Sequence, residues 1–168
     1  VHTGAKRLIG RSYRTAPKWS VNGKWAVMYD PIAQVWNKFD GATGKVVNIS
    51  DAIGYPMFME SYDKPAPAPA YGIAGWTADG NNVFLYDAYD WWKIDLTGER
   101  QPECLTKGYG RKHGKSIRKM TSNIDKDVFQ KDEKVIVSLW DKDTMDEGVY
   151  QLDMKGRLRK LMEGNYVY

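Results

Sequence analysis

Residues 86–98 read YDAYDWWKIDLTG, which sets Asp87, Asp90 and Asp95 in one short stretch beside Trp91 and Trp92. Two carboxylates that converge on one cleft can divide acid and base duties, and aromatic walls would keep water out of it. Asp87 and Asp90 are the pair that could do this. The structural alternative is an Asp at a strand end accepting hydrogen bonds from the amides of the following turn. Asp87 and Asp95 recur at equivalent places along the chain and Asp90 does not, so the structural reading is preferred. Trp91 and Trp92 are adjacent, so on a strand they point to opposite faces. One is expected to pack between sheets and the other to meet solvent or a ligand.

Other chemistries fail on spacing. A hydrolase elbow needs G-x-S-x-G; Ser12 in GRSYR and Ser116 in GKSIR have Arg in place of the second Gly. The two histidines are His2 and His113, and no complete triad is expected. GYGRKHGKS (108–116) resembles a phosphate loop at first sight, but that pattern needs four residues between its glycines. Five separate Gly108 from Gly114, and three separate Gly110 from it. The basic run through Arg118 and Lys119 could grip an anion; it is read as a solvated connection, with no nucleic-acid partner. Counting a calcium loop from Asp141 puts Met145, Asp146 and Leu152 where an oxygen ligand, Gly and Glu belong. Cys104, the single cysteine, has no zinc-ligand spacing to either histidine. No catalytic, cofactor-binding or metal-ligating residue is therefore assigned, and no cofactor is expected.

The elements that hold these residues are strands. At 168 residues the chain is one domain's worth, and 42% hydrophobic residues suffice for a core. Seven Trp and eleven Tyr against four Phe favour strands over a Leu-rich helical core. A net charge of +4 is short of a dedicated nucleic-acid protein. No apolar run is long enough for a membrane span, and no signal-peptide core is present. The chain, opening at Val1 and stopping at NYVY beside strand-like sequence, is read as a piece of something longer.

KWAVMYD (24–30), NVFLYD (82–87) and KVIVSLWD (134–141) are nearly continuous apolar runs, which fits strands covered on both faces. Each belongs to a repeated unit. PKWSVNGKWAVMYD aligns with AGWTADGNNVFLYD and with VFQKDEKVIVSLWD. An aromatic–Asp pair closes one strand of each: Tyr29-Asp30, Tyr86-Asp87 and Trp140-Asp141. A second strand ends at Asp40, Asp95 or Asp153, and Gly44, Gly98 or Gly156 follows within four residues. The aromatic–Asp pairs stand 57 and then 54 residues apart.

Each unit reads as a four-stranded antiparallel meander, and units of this size point to a β-propeller. A β-sandwich is the competing architecture. The expected fold is all-β: a partial β-propeller of about three blades, covering roughly 12–60, 71–107 and 116–163, in a single domain over 1–168. Between the first two blades, Pro65, Pro67 and Pro69 alternate with Ala within 61–72, read as a stiff inter-blade crossing with a domain boundary as the alternative. Propellers close with four to eight blades. The outer blades are therefore expected to expose apolar faces and unpaired edges, through which a homo-oligomer could form.

YGIAGWTADGNNVFLYDAYDWWKIDLTG, LTKGYGR and DEKVIVSLWDKDTMDEGVYQLD resemble the N-terminal propeller of the prolyl oligopeptidase and dipeptidyl peptidase IV family of serine peptidases. PKWSVNGKWAVMYD resembles the P-x-[WF]-S-x-[ND]-G-K strand pair of the same family. The resemblance runs from about Ser12 to the end and is nearest to bacterial members. It implies a periplasmic or secreted parent enzyme with a separate α/β-hydrolase domain, cleaving peptide substrates whose access the propeller restricts. None of that domain's Ser, Asp and His has a matching position in this chain. The family's substrate-holding Glu-Glu pair is missing too. The segment itself is expected to be catalytically silent, and the rival reading is a non-enzymatic propeller binding protein or oligosaccharide.

Overall fold

The computed structural model describes residues 16–120 and 127–164, the side chains of the last two excepted. Ser12 and His2 lie outside the described residues. Three sheets follow one another along the chain. In the first, β1 (Lys18–Trp19), β2 (Trp25–Asp30), β3 (Val35–Asp40) and β4 (Val46–Asn48) pair antiparallel in sequence order. In the second, β5 (Ile73–Thr77), β6 (Asn82–Tyr86), β7 (Trp91–Asp95) and β8 (Glu103–Cys104) repeat that order. A five-residue helix, α1 (Tyr109–His113), then leads to β9 (Lys115–Lys119). The third sheet is β9, β11 (Lys134–Asp141), β12 (Glu147–Asp153) and β13 (Leu158–Gly164), again antiparallel.

The repeat is visible at its aspartates. Asp30, Asp40, Asp87, Asp95, Asp141 and Asp153 each accept two backbone N–H groups from the turn that follows. Gly44, Gly98 and Gly156 adopt φ of 71°, 85° and 81° in the outer hairpins, the left-handed region those turns require. Gly156 has a second reason to be Gly. A Cβ there would stand 1.9 Å from the Leu105 carbonyl oxygen, so the third sheet's hairpin rests directly on the second sheet's backbone.

The middle sheet divides its side chains between its neighbours with period two. Val83, Leu85 and Ile94 face the first sheet, joining Val27, Tyr29 and Trp36. Phe84, Tyr86 and Trp91 face the third, joining Ile117, Val137, Leu139 and Leu152. Two apolar layers thus hold three sheets face to face. A fully buried side chain of this size contributes roughly 1.5–3 kcal/mol, so these layers are the main source of cohesion.

Three sequence expectations change. Val128–Phe129, aligned with the opening strand of the earlier units, forms β10, which lies parallel on β5 of the second sheet; β9 opens the third. The Trp76 and Ala78 amides donate to the carbonyls of Asp127 and Phe129 at 2.7 and 3.0 Å. Gly75, at φ 155°, makes room, since a Cβ there would meet the Phe129 ring at 2.5 Å. Secondly, β11 is not covered on both faces. Val135, Val137 and Leu139 are buried, while Ile136 and Ser138 are half-buried and Trp140 is exposed. Thirdly, open faces were expected on both end blades, and the first departs from this. Ala26 and Met28, on its far side, are fully buried with Phe39, and Trp19 meets the Phe39 ring edge-on at 6.3 Å.

Candidate functional site

Asp87 and Asp90 do come together, as a clasp at the border of a small open space. The hairpin between β6 and β7 folds Asp87 back so that its Oδ1 accepts the Tyr89 and Asp90 amides at 2.7 and 2.5 Å. Its Oδ2 accepts the Trp92 indole N–H at 3.1 Å and the Arg111 guanidinium at 3.0 Å. Asp90 reaches the other way. Its Oδ1 takes the Thr106 hydroxyl at 2.6 Å and the Gly110 amide at 2.9 Å, and its Oδ2 takes the Arg111 amide at 3.0 Å. Both residues are buried. Every carboxylate oxygen accepts at least one donor of the chain itself, and the pair borders a space of about 350 Å³ together with Tyr55, Trp92, Cys104 and Arg111.

The clasp bears on the basic stretch at 108–119, expected as a solvated connection. Much of it is tied down, while Lys112 and His113 stay exposed. Thr106 Oγ1 accepts the Trp91 amide while donating to Asp90. Arg111 stacks on the Tyr55 and Tyr89 rings, at 3.8 and 5.0 Å. Burial is the largest single influence and opposes the Arg111 charge, but the hydrogen bond to Asp87, the Asp87 charge, Tyr55 and Glu60 together outweigh it and raise the pKa above the ordinary arginine value. Arg118 donates to the Asp87 and Ala88 carbonyls at 2.8 and 3.1 Å and lies over the Tyr86 ring; burial lowers its pKa. These cations face carbonyls, a carboxylate and aromatic rings. A sequence scan could have flagged Asp90 by its departure from the repeat, but its partners come from residues 106–111 and could not be paired with it.

The remaining candidates disperse. Trp91 is fully buried against the third sheet, donating its indole N–H to the Ile117 carbonyl at 3.1 Å. Trp92, on the other face, is half-buried beside Tyr55 at 6.1 Å. Ser116 donates to the Trp140 carbonyl at 3.4 Å, and the His113 ring stacks on Tyr109 at 4.4 Å. Cys104 Sγ accepts the Gly108 amide at 3.2 Å, and burial pushes its thiol pKa up, away from the reactive thiolate. Among the described residues, no three of His, Cys, Asp and Glu gather as a metal-holding group. The outer turn aspartates keep structural roles. The Thr43 amide, above all, holds Asp40 below the usual carboxylate range, and the Asp143 amide does the same for Asp141.

What sequence reasoning missed is a cavity. Between the first two sheets lies a space of about 470 Å³, walled by Val27, Tyr29, Trp36, Ile73 and Trp76. Pro67 and Pro69 of the Pro/Ala crossing form another wall. That crossing is fastened at three points: the Tyr29 hydroxyl donates to the Ala68 carbonyl at 3.0 Å, the Met59 amide to the Pro69 carbonyl at 2.8 Å, and Phe58 bridges to Ala70. The Trp36 indole N–H has no acceptor although the residue is only 6% exposed.

The stacked antiparallel meanders and the clasp between them define the class: an all-β protein, a partial β-propeller of three blades among the described residues. Solved structures agree on the fold. The chain aligns with TolB from Acinetobacter baumannii at a TM-score of 0.52 and 14% identity, covering 97% of this chain and 36% of that one. It aligns with a protein provisionally named TolB from Agrobacterium tumefaciens at a TM-score of 0.50 and 14% identity, over 94% and 52% respectively. The chain therefore spans between a third and about half of these propeller proteins. No protein-family model matches the chain, and no curated protein matches it. No helix among the described residues is long and apolar enough to cross a membrane.

Proposed function

We propose that this chain is the non-catalytic propeller portion of a longer protein, acting by recognition and by restricting access rather than by chemistry. One observation supports this: the aromatic-walled carboxylate pair, the best catalytic candidate in the sequence, is buried and accepts seven hydrogen bonds from internal donors. The finer reading is a gate for a serine peptidase of the prolyl oligopeptidase and dipeptidyl peptidase IV type. The peptide-cleaving α/β-hydrolase domain would lie elsewhere in a periplasmic or secreted parent. It is supported by the sequence resemblance alone, whose segments 71–98, 105–111 and 132–153 build the second and third blades and the clasp between them.

Incubation with Gly-Pro and Ala-Pro chromogenic dipeptides should give no turnover above buffer; turnover abolished by a serine-directed reagent would overturn the non-catalytic reading. For the finer reading the native reading frame decides. Continuation into G-x-S-x-G, then Asp and His, supports the gate, and a frame that ends without them sinks it.

An oligosaccharide-binding propeller would need exposed tryptophans grouped as a platform. Five of the seven are buried or half-buried, and the exposed two, Trp19 and Trp140, sit on different end blades. Acrylamide should accordingly quench only a minor part of the tryptophan emission.

A further inference from the structure

Three aromatic residues from separate segments meet at one end of the second and third blades. Tyr71 precedes β5, Tyr89 sits in the β6–β7 hairpin, and Trp140 lies near the end of β11. They line a space of about 200 Å³, with Glu60 and Ser61 of the inter-blade crossing and Lys142 beyond β11 also on its wall. That is below the roughly 300–1,000 Å³ that drug-sized ligands fill, and it suits a single small ring. The polar groups on the wall are free. Among the described residues, the Glu60 carboxylate, the Lys142 ammonium, the Ser61 hydroxyl and the Trp140 indole N–H make no hydrogen bond or ion pair, and all four residues are exposed.

The charges exclude ionic ligands of either sign. Arg111 lies 5.0 Å from the centre of the Tyr89 ring and Arg118 5.4 Å from that of Tyr71, and neither arginine lines the space. The attraction of these rings for a cation is thus already used within the protein, and Lys142 repels a further one. Glu60 in turn repels an anion. What the wall offers is apolar ring surface together with hydrogen-bond donors and acceptors, the complement of a neutral, hydroxyl-rich ring.

We propose that this space binds one neutral sugar ring, a hexopyranoside. Its C–H face lies on the aromatic rings, of which Trp140 is the most exposed. Its hydroxyls donate to the Glu60 carboxylate and accept from Lys142, Ser61 and the Trp140 indole N–H. A single ring asks less than an oligosaccharide platform, since one exposed indole flanked by two tyrosines is enough. The proposal goes beyond the recognition reading, which stands whether or not a sugar binds, and it does not need the peptidase one.

The methyl glycosides of glucose, galactose and mannose are suitable probes, with glycerol as the control for hydroxyl content alone. Titration of the ¹⁵N-labelled chain should shift the Trp140 indole resonance, assigned by its loss in Trp140→Phe, saturably with at least one glycoside and more than the other six. A dissociation constant on the order of 1 mM is expected, as about a dozen ligand atoms reach at ordinary efficiency. Glu60→Gln keeps the shape but removes a charged acceptor, and should weaken binding about five- to ten-fold. Trp140→Ala removes the exposed ring and should weaken it about ten-fold, read from the Ser61 and Tyr89 backbone resonances. Glucosamine and glucuronate should each bind less tightly than methyl glucoside. The site is overturned if the Trp140 resonance stays still at ten-fold the expected constant, if glycerol moves it as far, or if neither variant changes the affinity. The neutral class is overturned if either charged sugar binds more tightly than methyl glucoside. Should Trp140→Ala fail to fold, the Glu60→Gln comparison decides alone.

Discussion

The two inter-blade layers are built from the same repeat and end up unlike each other. Between the second and third blades, the apolar layer is closed at one end by a clasp in which Asp87, Asp90, Thr106, Arg111 and Arg118 hydrogen-bond one another, with the Arg111 Nε–H alone buried without an acceptor. Between the first and second, the layer holds a cavity of about 470 Å³. Two indole N–H groups on that side, of Trp25 and Trp36, have no acceptor. Both layers use aromatic residues at matching strand positions. The difference lies in the connections: residues 105–114 return to the Asp pair as a short helix, whereas 61–72 cross as a proline strap that carries few amide donors and cannot fold in behind the sheet. Inter-blade tightness in this protein is set by the crossing segments more than by the strands.

The sharpest way to break that comparison is at Asp90. Asp90→Ala leaves the Gly110 and Arg111 amides and the Thr106 hydroxyl without their buried acceptor. At roughly 1–3 kcal/mol for each stranded donor, and with partial rescue by water, a loss of about 3–5 kcal/mol in urea unfolding is expected. A loss under about 1 kcal/mol would show that the clasp does not hold the second layer together.

A smaller effect separates two buried tryptophans. Trp91→Phe removes buried area and one of the two donors to the Ile117 carbonyl, which keeps Arg118 Nη1 at 2.8 Å, and should cost about 2 kcal/mol. Trp36→Phe removes area but also an unsatisfied donor, so the two contributions offset and the change should stay within about 1 kcal/mol. Equal costs in paired urea melts would mean that the layers are equally well satisfied.

The third effect is read at alkaline pH. Burial pushes the Tyr29 and Tyr86 hydroxyls up to about 12, one in each layer. The unfolded chain ionises near the ordinary tyrosine value of about 10. The stabilisation from keeping each hydroxyl neutral is therefore intact below about pH 10 and lost as the pH rises from there through about 12. Tyr29→Phe and Tyr86→Phe should each flatten the alkaline fall in stability measured by urea melts between pH 8 and 12. A slope unchanged in either variant would remove that tyrosine from the account.

Much of this architecture was legible because its signals are local. A strand-end Asp needs only the next few amides, and a hairpin Gly needs only its own φ, so both survive in sequence as spacing. Trp91 and Trp92 could be assigned to opposite faces for the same reason. Asp90 could be separated from Asp87 but not given partners, since those sit sixteen to twenty-one residues away. The displaced strand Val128–Phe129 was misplaced because a two-residue strand has no pattern of its own; the free edge of β5 and the absent side chain of Gly75 decide where it docks.

The sequence by itself determined the meanders, their number and the structural role of the repeated aspartates, because turn chemistry and strand periodicity act over a few residues. Only the tertiary structure decided that Asp90 closes a clasp, that Ala26 and Met28 are buried on the first blade's far side while Trp19 and Trp140 stay exposed on the two end blades, and that a cavity opens beside Trp36. Those outcomes depend on how surfaces from distant segments fit together, and fit is a property of the assembled volumes that no single stretch of chain contains.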